Sequence, residues 1–193
     1  MKNKVLITGT SSGLGKHLVQ KFENEGHEVF SHNGKKHYDL RNLSEVEELA
    51  EMVRLEDIKI LINNAAIVCP NITLEKYNIA EICDMIDVNL RAPIVLIYLL
   101  LETLDNVINI NSMVGLEIKS PRTIYSATKW GLRGFSNSLK KENKEVKFLD
   151  VYPTNIKMHP FQQNAMNVEL VVDEIYKSYI DGAEELVLDG RKL

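Results

Sequence analysis

The chain is predicted to fold as a doubly wound α/β structure, a parallel sheet with helices on both faces. Two observations predict it. Short apolar runs alternate with segments of helical periodicity from one end of the sequence to the other, and a glycine-rich turn follows the first run. Alternation of this kind specifies a parallel sheet, because each return to the same sheet needs a crossover, usually a helix. A length of 193 residues holds one well-packed domain and not two of ordinary size, so residues 1–193 are read as one domain with three layers, α/β/α.

Val5-Leu6-Ile7 is the opening strand, and Leu14, Leu18, Val19 and Phe22 recur at helical spacing after the turn. Val29-Phe30 is the second strand. Val46, Leu49, Ala50 and Val53 mark a helix, and Ile58 to Asn63 a strand. A helix around Ile82 to Asn89 and a longer one from Pro93 to Leu104 follow as separate elements. Val107 to Asn111 is a strand, Thr123 to Glu142 a helix, Val146 to Tyr152 a strand, Val168 to Ile180 a helix and Leu186 to Leu188 the last strand. No internal repeat, low-complexity segment or domain linker interrupts this order.

Composition narrows the function classes. Hydrophobic residues at 45% and charged residues at 26% describe a folded globular chain. A net charge of −4 gives no electrostatic reason to bind nucleic acid or an anionic membrane. Lys140, Lys141, Lys144 and Lys147, interleaved with Glu142 and Glu145, read as a solvated helix end. Cys69 and Cys83 form neither a disulfide framework nor a zinc motif and are expected to be packed thiols. The longest apolar run, Ala92 to Leu101, falls short of the ~20 residues of a membrane span. With no secretory signal pattern at Met1-Lys2-Asn3-Lys4, the chain is expected to be soluble and cytoplasmic.

Ligands of such sheets bind beyond the carboxyl ends of the strands, where the winding reverses. Thr8 to Gly15, Asn63 to Ala66, Asn111-Ser112 and Pro153-Thr154 all follow strands, so they are expected to converge. In Gly9-x-x-x-Gly13-x-Gly15 the missing side chains allow a sharp turn and close approach to a pyrophosphate, which the next helix would meet with its free N–H groups. Three glycines alone also fit a tight loop. Their place after the first strand makes the turn a dinucleotide site in a Rossmann-type fold.

The second strand leads into His32-Asn33-Gly34-Lys35-Lys36, without the acid that would accept from the ribose hydroxyls of NAD. Lys35 and Lys36 would suit a 2′-phosphate, with a hydrogen bond from Ser11 or Ser12. NADP(H) is therefore expected in preference to NAD(H). The same lysines also fit a solvated loop.

Tyr125 and Lys129 stand four apart in a predicted helix, which puts phenol and ammonium on one face. A tyrosine titrates near ~10, and a neighbouring cation favours the phenolate and lowers that value. The pair alone also fits a coincidence of helical spacing.

Taken in order, the glycine turn, Asn63-Asn64-Ala65-Ala66, Asn89, Ser112, Tyr125-x-x-x-Lys129 and Pro153 make nearly the whole chain resemble the short-chain dehydrogenase/reductase family. The resemblance implies a cofactor site formed by Gly9, Ser11, Ser12, Gly13, Leu14, Gly15, Asn33, Lys35, Asp39, Leu40, Asn63, Ala65, Ala66, Tyr125, Lys129, Pro153, Thr154 and Ile156. Within it Asp39-Leu40 would lie beside the adenine, and Asn63-Asn64-Ala65 would support the sheet and the adenosine ribose.

The resemblance also implies a catalytic tetrad of Asn89, Ser112, Tyr125 and Lys129. Tyr125 would exchange a proton with a carbonyl or alcohol oxygen while hydride moves to or from the nicotinamide. Lys129 would tune it and hold the nicotinamide ribose, Ser112 would hydrogen-bond the substrate oxygen, and Asn89 would anchor a water leading to solvent. Taken singly, Asn89 also fits a residue that caps or kinks its helix, and Ser112 one that satisfies a strand end. Ala66 stands where the family usually has glycine, and Met158 where it has threonine.

A minimal substrate lid is expected around residues 157–167, with Met158, His159 and Phe161 as candidate contacts, although His159 also fits an exposed loop residue. The lid is short for the family, which suggests an open site or one completed by another subunit. Pro93 to Leu104 is apolar nearly all round, more than one sheet-facing stripe requires. In the family this helix and the one carrying Tyr125 make subunit contacts, which implies a homodimer or homotetramer.

The expected function is an NADP(H)-dependent reductase or dehydrogenase of a small carbonyl or alcohol. The alternatives are a catalytically silent dinucleotide sensor or interaction protein, and a nucleotide-sugar epimerase or dehydratase. The last favours another glycine spacing and needs a substrate domain that this length does not hold.

Overall fold

A computed structural model describes residues 2–34, 37–68, 71–157 and 165–191. The elements are β1 (Lys4–Thr8), α1 (Gly13–Asn24), β2 (Glu28–His32), α2 (Leu43–Leu55), β3 (Ile60–Asn63), α3 (Ile79–Ile86), α4 (Ala92–Leu100), β4 (Asn106–Ile110), α5 (Thr123–Glu142), β5 (Lys147–Pro153), α6 (Val168–Ile180) and β6 (Glu185–Leu188). The strands form one sheet in the order β2-β1-β3-β4-β5-β6, with every neighbouring pair parallel. From β1 the chain winds first to β2 on one side and then to β3 on the other. The crevice beyond the ends of β1 and β3 is the point of reversal.

Both faces of the sheet are covered, which is why its central strands read as unbroken apolar runs. Val5 and Ile7 point to one face and pack with Leu14, Leu18 and Phe22 of α1 and Val171, Val172 and Ile175 of α6. Leu6 and Leu61 point the other way, against Val46, Leu49 and Val53 of α2 and Leu96, Ile97 and Leu100 of α4. The alternation of side chains along a strand thus divides one run between two cores.

The expected break between Asn89 and Pro93 is absent. α3 continues through a π-helical segment, Asp87–Arg91, directly into α4. Pro93 stands just after the π-helical segment, inside this continuous helix. α4 itself ends at Leu100, short of the expected Leu104. Its all-round apolarity is partly used within the chain: Leu96, Ile97 and Leu100 are buried, whereas Tyr98 is 76% exposed.

Two further expectations are corrected. Cys83 is exposed, because Met85 is the residue that α3 buries; Cys69 lies outside the described residues. Lys140 is not merely solvated. Its Nζ lies 2.8 Å from the carboxylate of Asp150, which is fully buried in β5 and also accepts from Ser136 Oγ at 2.6 Å and Asn109 Nδ2 at 3.1 Å. A buried carboxylate persists only with such partners.

Candidate active site

A cavity of about 650 Å3 opens over the carboxyl ends of the strands, within the ~300–1,000 Å3 range of small-molecule and cofactor sites. One wall is the turn between β1 and α1. Gly9 holds φ at +69°, and a Cβ there would meet Ala65 Cα at 2.7 Å. A Cβ on Gly15 would sit 2.2 Å from the Gly9 carbonyl oxygen and 2.5 Å from Asn64 Nδ2. These glycines let the turn close on itself and on the loop after β3.

Polar side chains stitch the two loops together. Asn64 Nδ2 donates to the carbonyls of Thr8 at 2.8 Å and Gly9 at 2.9 Å, and Thr8 Oγ1 accepts from the amides of Asn64 and Ala65, each at 3.1 Å. α1 then begins without a side-chain cap from Ser12 and without an acid in its first turn. In contrast, Asn42, Asn78 and Asn167 cap α2, α3 and α6 with their side chains. The amides at the start of α1 thus offer an anion their positive end with no side-chain oxygen in competition.

Along this wall the structure brings together Gly9, Ser11, Ser12, Gly13, Leu14, Gly15, Asp39, Leu40, Ala65 and Ala66. Asp39 is held by the Arg41 guanidinium, whose Nε is 2.9 Å from Asp39 Oδ1 and whose Nη1 is 3.0 Å from Asp84. Buried His32 lies under the turn. Gly9 N–H points at its Nδ1 at 3.4 Å, its Nε2 is 2.7 Å from the Tyr38 carbonyl, and burial pushes its pKa down.

At the other end Ser112, Tyr125, Lys129, Pro153, Thr154 and Ile156 line the same cavity. Tyr125 and Lys129 come from α5, and Ser112 from the loop after β4, where its Oγ accepts from the Val114 amide at 3.3 Å. Lys129 is 2% exposed, its Nζ donating to the Ile110 carbonyl at 2.9 Å and lying 5.7 Å from the centre of the Tyr125 ring. Burial lowers its pKa to about 8, so it remains largely charged at neutral pH and discharges at mildly alkaline pH.

Three expected site residues lie elsewhere. Asn33 does not line the cavity; its Oδ1 is 2.7 Å from Thr10 Oγ1. Asn63, 4% exposed, donates to Asn109 Oδ1 at 2.9 Å and so supports the sheet rather than facing a ligand. Asn89 sits in the π-helical segment, its side chain accepting from Ile67 N at 2.7 Å, donating to Ile67 O at 2.9 Å and reaching Thr128 Oγ1 at 3.5 Å. Its side chain therefore ties the loop after β3 to the helix. Lys35, Lys36, Met158, His159 and Phe161 lie outside the described residues.

Other residues had no role assigned to them from the sequence. Asn111 bridges the site by accepting from Ser112 N at 2.9 Å and donating to Lys129 O at 3.2 Å. Gly190 and Arg191 enter the cavity from beyond β6, where the rule about carboxyl ends of strands, applied to the last strand, would have found them. At the two ends of the segment expected to form a lid, Ile156 bridges Met166 and Met166 N donates to Asn155 O at 2.9 Å.

The family profile described as short chain dehydrogenase matches residues 35–167. Among curated proteins, the NADP-dependent 3-hydroxy acid dehydrogenase YdfG of Salmonella typhi is 26% identical over 176 residues, covering 77% of this chain and 71% of that protein. The ketoacyl reductase HetN of a Nostoc species is 29% identical over 165 residues, covering 72% of this chain and 57% of its own. Among solved structures, a short-chain dehydrogenase from Streptomyces avermitilis superposes with a TM-score of 0.87 at 19% identity, over 98% of this chain and 89% of that one. One from Burkholderia cenocepacia in complex with NADP gives 0.85 at 20% identity, over 99% and 90%. At those identities the structures speak for the fold, while the profile speaks for descent. The chain belongs to the short-chain dehydrogenase/reductase family of NAD(P)-dependent oxidoreductases acting on alcohol and carbonyl groups.

Proposed function

We propose that this protein interconverts a small carbonyl compound and its alcohol with NADP(H), using Tyr125 as the proton donor and acceptor. One observation carries this above the others. Ser112, Tyr125 and Lys129, drawn from two separate elements, line the same cavity as the glycine turn. A nicotinamide dinucleotide fits the uncapped start of α1 and would supply or accept the hydride at the substrate carbon.

The chain's own part is the proton and the orientation. In reduction the Tyr125 hydroxyl gives its proton to the substrate oxygen as carbon gains hydride, so the two-electron change leaves a neutral alcohol. Lys129, charged below about pH 8, favours the phenolate that remains. Ser112 hydrogen-bonds the same oxygen and holds it against the phenol. Asn89 acts through position, tying the loop after β3 to the helix behind the site.

NADP(H) is preferred over NAD(H) because no acid follows β2 before Asp39, and Asp39 is already neutralised by Arg41. The name of the YdfG relative and the neighbour solved with NADP support the same choice. Residues 1–193 act as one domain with a short lid around 157–167. Exposed Tyr98 and Trp130, on the helices expected at subunit contacts, fit a homo-oligomer. Among the described residues no helix is long and apolar enough to cross a membrane.

Tyr125→Phe tests the proposal. Turnover of a panel of aldehydes and ketones should fall by several orders of magnitude with the Kd for NADPH within about threefold. Undiminished turnover in that variant would remove the role of Tyr125. Tight NADPH binding with no turnover by the unsubstituted protein would instead favour a dinucleotide sensor.

A further inference from the structure

Near Tyr125 the cavity carries two cations that make no ion pair among the described residues. Arg122 and Lys119 both line it, Arg122 three residues before Tyr125 at the start of α5. Arg122 is partly buried, and its Nε is fixed by Asn71 Oδ1 at 2.9 Å. Among the described residues neither cation has a carboxylate within ion-pair distance. The acid nearest in sequence, Glu117, is taken by Arg191, whose Nη2 lies 3.0 Å away while its Nε engages Asp189 at 2.7 Å. The first turn of α5 holds no acid, and the sequence from Thr154 to Asn167 has none either.

From this we infer that the substrate is an anionic carbonyl compound, with a carboxylate or phosphate held by Arg122 and Lys119 and its carbonyl presented to Tyr125. A guanidinium anchored at Nε leaves its two terminal nitrogens for a pair of oxygens. The glycine turn that would take the cofactor pyrophosphate lies at the opposite end of the cavity. The cations near Tyr125 therefore answer to a second anion. A neutral ketone would leave them without a counter-charge, whereas an anionic one gains their attraction. Arg122 and Lys119 act here as specificity residues, since neither touches the bonds that change.

This inference rests on the reductase proposal, and the experiment separates the two. Initial rates of NADPH oxidation are compared for a panel of oxo acids against their methyl esters, and for hydroxyacetone phosphate against hydroxyacetone. The anionic member of a matched pair should have a kcat/KM at least about tenfold higher, mainly through KM, and the advantage should shrink with added salt. The acid pair and the phosphate pair distinguish the two anions. Arg122→Gln and Lys119→Gln should each narrow the anionic-to-neutral ratio, with unfolding midpoints unchanged because both side chains reach solvent. A ratio near one in the unsubstituted protein, or one that neither substitution moves, overturns the inference and leaves the reductase proposal standing. Absence of turnover with every carbonyl removes both.

Discussion

Lys129 Nζ lies 5.7 Å from the centre of the Tyr125 ring, and both side chains are buried in the wall of one cavity. The cation expected to tune the phenol is thus itself tuned, since burial lowers its pKa from 10.5 to about 8. Folding must strip water from an ammonium whose hydrogen-bond partner among the described residues is the Ile110 carbonyl. The arrangement stores instability at the position that chemistry needs.

Lys129→Met should therefore stabilise the protein at pH 7 while abolishing turnover. The folded pKa is depressed, so between about 8 and 10.5 the unfolded chain binds more protons and stability rises with pH. Below about 8 the full penalty applies, roughly 3 kcal/mol at ~1.4 per pKa unit. Losing the bond to Ile110 takes back about 1 kcal/mol. Denaturant unfolding should show the variant about 2 kcal/mol more stable at pH 7, with the gap closing by pH 10.5. A variant less stable at pH 7 would show that the ammonium is well solvated.

Gly15→Ala should abolish NADPH binding and cost about 1–3 kcal/mol, because the new Cβ meets a backbone carbonyl at 2.2 Å that cannot yield alone. Gly182→Ala is the informative comparison. Its φ of +70° is as unfavourable for alanine as that of Gly9, yet no atom lies within 4 Å of the added carbon. It should cost about 1 kcal/mol and leave NADPH affinity intact. Calorimetric titration of both variants checks the pair, and a Gly15→Ala protein that binds NADPH as tightly as Gly182→Ala would show that the close approach to the Gly9 carbonyl and Asn64 does not decide the turn.

These contrasts show what the sequence could convey. α5 and α6 were readable to their last residues, because an amphipathic stripe repeats over several turns and Asn167 offers a cap. Ser112, Tyr125 and Lys129 were readable as a set because each follows from its element and the strand ends converge. The join at Asn89 was not, since a π turn keeps the same apolar content and only shifts the register. Asn33, Asn63 and Asn89 could not be assigned a direction from sequence. An asparagine suits a ligand, a cap or a sheet equally, and its neighbours in space decide.

His32 supplies an acid-sensitive element beneath the same turn. Its ring is held neutral by burial, with Nδ1 facing the Gly9 amide and Nε2 donating to the Tyr38 carbonyl. Protonation would set one N–H against another. Because the folded pKa lies below 6.5, stability is complete above that value and is lost as pH falls toward the folded pKa. Unfolding free energy should thus decline between pH 7.5 and 5.5 more steeply in the unsubstituted protein than in His32→Asn. Parallel slopes would place the acid sensitivity elsewhere, for example at His27, whose pKa burial also lowers.

Asn111 offers a test of how the site is held rather than of what reacts. One amide joins Ser112 N and Lys129 O, and so couples the loop after β4 to the second turn of α5. A Cβ on Gly115 would meet Asn111 Oδ1 at 2.6 Å, which shows how closely that loop folds around it. Asn111→Ala should leave Tyr125 and Lys129 on their helix but free Ser112 to drift relative to them. A displacement of ~1 Å can cost on the order of 100-fold in rate, so kcat should drop by about that factor with the Kd for NADPH within about threefold. A purely structural role would instead lower the unfolding midpoint and weaken NADPH binding with kcat preserved in the folded fraction. Measuring kcat, Kd and the unfolding midpoint on one preparation distinguishes the outcomes, and Asn111→Asp, which keeps the acceptor for Ser112 N but not the donor to Lys129 O, should fall between the two.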